Sequence, residues 1–138
     1  MTAQRLALGT IVGAVVFSVL GYVLYGVLFA SFFAANMGSA TGVEREPFDF
    51  VSLVLGQMAW AAILTLILGW ASASSLGKAM TVGALTGLLF FLGFDLTLYA
   101  STNMQNLTAT LVDPLVGAVL FAVAAAAIVS VAPGKAAA

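Results

Sequence analysis

Four long apolar stretches, separated by short polar ones, constrain this chain more than any single motif. They run from about Leu6 to Ala34, Phe50 to Ala73, Lys78 to Ala100 and Pro114 to Ala132. A helix that crosses a bilayer needs about 20 mostly apolar residues, and each stretch is long enough. In lipid each must close its own backbone hydrogen bonds, so each is expected to be a helix. Only 7% of the 138 residues are charged and 63% are hydrophobic. That charge is too sparse to cover a water-facing surface, for which about 25% is usual. The expectation is an all-α, four-transmembrane-helix bundle forming one domain over 1–138, with loops at 35–49 and 101–112 and a tail at 133–138. The first stretch is far longer than the roughly 7 to 15 residues of a signal-peptide core, which argues for a retained helix.

With four spans, both termini and the Ser74–Gly77 turn share one side, and that turn makes the second and third helices an antiparallel pair. That side carries Arg5, Lys78 and Lys135, while the other carries Arg45 among Glu44, Glu46 and Asp49. The positive-inside rule then places both termini in the cytoplasm, and the expected location is a plasma membrane, the inner membrane if the chain is bacterial. A net charge of −1 excludes a basic nucleic-acid footprint. The chain has no Cys and no His, which removes thiolate chemistry and the usual haem, zinc and acid–base ligand.

The first and third helices read alike. "GTIVGAVVFSVLGYVLYG" from Gly9 and "GALTGLLFFLGFDLTLYA" from Gly83 share the pattern GxxxGxxxFxxxxxxLY. A duplicated two-helix hairpin would produce this, and so would coincidence among abundant Gly, Phe and Leu. The second and fourth helices match little beyond Asp49/Asp113. Gly9, Gly13, Phe17, Gly21 and Tyr25 recur every four residues, as do Gly83, Gly87, Phe91, Asp95 and Tyr99. Such a row lies toward one side of a helix. Paired glycines let two backbones approach and gain dispersion contacts that lipid cannot match. Gly9, Gly13, Gly21, Gly83, Gly87 and, on the fourth helix, Gly117 are therefore the expected helix-contact residues, within the chain or toward another subunit.

Asp95, Asp113, Asn103 and Gln57 form the candidate polar set. Asp95 lies about 25 Å along its helix from Lys78, near the outer boundary of the hydrocarbon core. An ionisable group in a span is a functional-site hypothesis. The alternative is an edge anchor bonded to Asn103, Gln105 or Arg45. Asp113-Pro114 reads as a cap followed by a first-turn proline, with a negative charge favoured by the helix dipole. Gln57 is expected to bond a neighbouring helix, and Thr65, Thr86 and Thr97 to bond back to their own. Trp70 and Tyr99 fit interfacial belts, and Tyr25 does so if the first helix tilts, while mid-span Trp60 fits core packing ahead of a ligand wall.

The stretch "FDLTLYASTNMQNLTATLVDPLVGAVL" resembles small bacterial four-helix membrane proteins that make up a domain family of unknown function. In that pattern an acidic residue near the end of the third helix precedes a polar segment, and a second acid opens the fourth helix. The matching positions are Asp95, Thr97, Asn103, Asp113 and Gly117, and "GYVLYGVLFASFFAANMG" is similar to the aromatic ending of the family's first helix. The resemblance implies a topology and no activity.

Three functions compete. The leading expectation is an accessory subunit or assembly factor of a larger membrane complex, docked through its glycine faces. The second is a small homo-oligomeric transporter or channel with Asp95 near an acidic outer mouth. The third is a module that holds a lipid, quinone or pigment near Trp60, Phe90 and Phe91. The expected partners are membrane lipid and other membrane subunits or further copies of the chain. No cofactor or metal is expected. Asp95 and Asp113 lack an accompanying nucleophile or metal cluster, so an enzyme is not expected.

Overall fold

A computed structural model of the protein describes residues 1–132. The predicted tail at 133–138, with Lys135, lies outside them. The structure is an all-α, four-span membrane bundle, with no strand among the described residues. Helix α1 spans Ala3–Gly21 and continues as a π-helical segment, Tyr22–Leu28. A short α2, Ala30–Ala35, follows. The remaining spans are α3 (Phe50–Trp70), α4 (Leu76–Ser101) and α5 (Leu107–Val131). Each long helix opens on a capping side chain. Thr2 accepts from the Arg5 amide, Asp49 from Ser52, Ser75 from Lys78 and Asn106 from Ala109. Hydrogen bonds from the Ser52 hydroxyl and amide hold the Asp49 carboxyl below the usual carboxylate range.

Helix α5 is the centre of the bundle. Half of its apolar window is buried, against 17% to 22% in the other three spans. Helix α4 lies along α5, and α1 packs on α3 and α5. Helices α3 and α4 are joined by a short turn but pack little on each other; Trp60 lies edge-on to Phe90 at 5.2 Å and stacks on Phe91 at 6.5 Å. Ile11, Val15 and Val19 on α1, and Leu85 and Leu89 on α4, are exposed and face lipid. The termini meet at one end of the bundle, where Arg5 Nε donates to the Ala132 carbonyl at 2.9 Å. We call this the terminal end and the opposite one the loop end.

Glycines decide the closest approaches. A Cβ at Gly83 would lie 2.5 Å from the Phe121 carbonyl oxygen, and one at Gly87 would strike the Gly117 carbonyl. A Cβ at Gly117 would press on the Phe91 ring at 2.6 Å. On α1, Gly9 faces Thr65 and Ile128, and Gly13 faces Ala61 and Ile128. The two glycine rows therefore do not meet each other; both use α5. Phe17 and Phe91, equivalent positions of the sequence repeat, both contact Phe121, at 4.7 Å and 6.1 Å between ring centroids.

Several expectations need correction. Gly21 is not a helix contact within the chain, because nothing lies within 4 Å of where its Cβ would be. The fourth helix begins at Leu107, not Pro114, because Asn106 supplies the cap and the Thr/Leu run that follows continues the helix. Asp113 is therefore not a cap; it lies about 9 Å along the helix from Leu107 at 1.5 Å per residue. Its sequence match to Asp49 has no structural counterpart, since Asp49 does cap its helix. The first helix does not run unbroken to Ala34 but turns π-helical and is interrupted at Phe29. The three threonines do bond back to their own helices, Thr65 to Ala61, Thr86 to Val82 and Thr97 to Gly93.

Candidate functional site

At the loop end the two connecting segments pair and close over the helices. The Gly38 amide donates to Met104, Ala40 to Asn103 and Asn106 to Asn36. The Asn106 side chain also donates to Asn36 Oδ1 at 3.0 Å. Beneath this cover, α2 packs Phe33 over Tyr25, with centroids 5.3 Å apart.

Asp95 and Asp113 meet under that cover. Asp95, on α4, is 2% exposed. Its Oδ2 is buried and has no hydrogen-bond partner among the described residues. The Asp113 carboxyl and the Gln105 amide lie beside it. Asp113, on α5, accepts a 2.6 Å hydrogen bond from the Tyr25 hydroxyl. Gln105 Nε2 donates to Thr110 Oγ1 at 3.2 Å, and that hydroxyl donates to the Asn106 carbonyl. Arg45 is exposed in the loop, and Arg5 and Lys78 stand at the terminal end. Two adjacent carboxylates out of water repel each other and lose hydration, so a positive charge must accompany them, as a proton or as a cation.

A cavity of about 240 Å³ lies on the other side of Tyr25, among α1, α3, α4 and α5. Gly21, Tyr25, Gln57, Trp60, Phe91 and Phe121 are among its walls. Tyr22 and Leu53, both exposed, stand at its mouth between α1 and α3. Trp60 is packed as expected, against Phe90, Phe91 and Phe121, and it also forms a cavity wall.

Of the predicted polar set, the structure brings Asp95 and Asp113 together. Gln57 faces the cavity instead. Asn103 is exposed, and its carbonyl serves the loop pairing. Gln105, one of the partners expected of Asp95 as an edge anchor, lies there as well, and Tyr25 and Thr110 are members that no sequence expectation placed there. Tyr25, which would join an interfacial belt in a tilted first helix, turns inward to Asp113. The signal for it was the four-residue row that begins at Gly9, because Tyr25 belongs to that row. No family model, no curated protein and no solved structure matches the chain.

Proposed function

We propose that this chain is a small membrane carrier of positive charge, in the transporter class, whose Asp95–Asp113 pair holds a proton or a monovalent cation at the loop end. One observation carries the reading: Asp95 Oδ2 is buried without a partner beside a second carboxyl. An anchor at a membrane edge would be hydrated or bonded through both oxygens, and the Oδ2 of Asp95 is neither. Ionisable groups inside spans are expensive and typically mark ion pathways. The accessory-subunit reading loses part of its support, because Gly9, Gly13, Gly83, Gly87 and Gly117 face the chain's own helices and only glycines such as Gly21, Gly56 and Gly93 stand open. The distribution of Arg5, Lys78 and Arg45 supports a loop end outside and termini in the cytoplasm.

The test is flux in liposomes reconstituted with the purified chain, using an internal pH dye for protons and radioactive sodium for the cation. We expect protein-dependent flux of one of the two, reduced at least tenfold by Asp95→Asn. Flux no faster than in protein-free vesicles, or an Asp95→Asn variant as fast as the native chain, would sink the proposal.

A further inference from the structure

The cavity and the carboxyl pair share a wall, Tyr25, and that wall indicates what the cavity takes. We propose that the cavity binds a lipophilic organic cation entering sideways from the bilayer between α1 and α3, with its positive centre turned toward Tyr25 and the carboxyl pair. This rests on reading the pair as a site for positive charge, and it adds the ligand's class and route.

The cavity is walled by the rings of Phe17, Tyr25, Trp60, Phe91 and Phe121. Aromatic faces attract cations, the more so away from water. Trp60 stands edge-on to Phe121 at 5.8 Å and stacks on Phe91, so the rings enclose the space from more than one direction. Behind Tyr25, the 2.6 Å bond to Asp113 links the wall to the carboxyl pair. The field inside the cavity is thus negative at one end. A neutral guest or an acyl chain gains nothing from that end, whereas a cation does.

The mouth is built for entry from the side. Gly21 leaves open space where a side chain would stand, and the neighbouring Tyr22 is 69% exposed. The opening lies at membrane depth, where a ligand must be lipid-soluble to arrive. A volume of about 240 Å³ equals about eight waters at roughly 30 Å³ each. That fits a single-ring amine or quaternary ammonium and lies below the usual drug-sized pocket of about 300 to 1,000 Å³.

Benzyltrimethylammonium is a suitable probe, because its charge is permanent and neopentylbenzene is its neutral isostere. Binding is read from Trp60 fluorescence in detergent, in a Trp70→Phe background that leaves one indole. We expect saturable binding of the quaternary ion and at least tenfold weaker binding of the isostere. Asp113→Asn should weaken binding of the ion at least tenfold, and Gly21→Leu should block it at the mouth. Asp95→Asn reads the same charge without touching the Tyr25 hydrogen bond, so it decides the matter if Asp113→Asn fails to fold. Equal binding of ion and isostere, affinity unchanged in Asp95→Asn, or no saturable signal would each overturn the inference. Binding of the ion without proton or sodium flux would uphold this inference and remove the transport reading; flux without binding would do the reverse.

Discussion

Tyr25 and Asp95 stand at the same site with opposite consequences for stability. The Tyr25 hydroxyl satisfies Asp113 at 2.6 Å. Asp95 contributes a buried oxygen that nothing satisfies. A hydrogen bond to a charged group typically contributes about 1.5 to 3 kcal/mol, and an unmet buried group costs about 1 to 3 kcal/mol. Tyr25→Phe is therefore expected to lower the unfolding free energy in detergent by about 2 kcal/mol. Asp95→Asn should leave it unchanged or raise it by about 1 kcal/mol, because the amide can donate to Asp113. Unfolding in SDS, without added cation, measures both. A large loss of stability in Asp95→Asn would mean that Asp95 is an anchor. A gain of stability together with a loss of flux is the pattern of a group kept for function at a cost to the fold.

At the scale of elements, one row of residues behaves differently on two helices, and pitch explains it. Four residues advance an α-helix by about one turn plus 40°, so a four-residue row drifts around the cylinder. At the fourth step of the row, Gly21 on α1 stands in open space while Asp95 on α4 is still buried, so the two rows separate beyond it. The π segment from Tyr22 holds more residues per turn, runs the drift back and returns Tyr25 to the interior. Helix α4 stays α-helical, so the equivalent Tyr99 emerges at the surface, 44% exposed. The same geometry separates two glycine substitutions. Gly87→Leu drives a side chain into the Gly117 backbone, which cannot yield as a side-chain tip would. It is expected to cost about 3 kcal/mol or more and to part α4 from α5. Gly21→Leu should fold like the native chain, as thermal unfolding of the pair would show. The glycine rows were legible because periodicity identifies a side of a helix. It does not say which helix lies against that side, and so the role of α5 was not legible. The spans were legible because lipid leaves a backbone few choices. The start of α5 is not legible, because Asp113-Pro114 mimics a cap and first turn, while the working cap, Asn106, sits inside a polar run that reads as loop. Without the extra turns of helix, Asp113 could not be seen to face Asp95.

For the whole molecule, the question is which side of the membrane the carboxyl pair faces, since that sets where it picks up charge. The terminal end carries Arg5 and Lys78, and the loop end carries Arg45 with Glu44, Glu46 and Asp49. Basic residues near span ends are retained in the cytoplasm, so the loop end should face outward. A cation then reaches the pair from outside and is drawn inward by a potential worth about 2.3 kcal/mol per charge per 100 mV. The chain contains no Cys, so a single introduced thiol reports orientation without background. Ser39, in the paired loops, and Ser74, in the turn before α4, are both exposed. In intact cells, a membrane-impermeant maleimide should label Ser39→Cys at once and Ser74→Cys only after permeabilisation. The opposite pattern would put the pair on the cytoplasmic side, where the same potential resists inward movement of the bound charge. The carrier would then be suited to export, and the lateral cavity would open in the inner leaflet instead of the outer one.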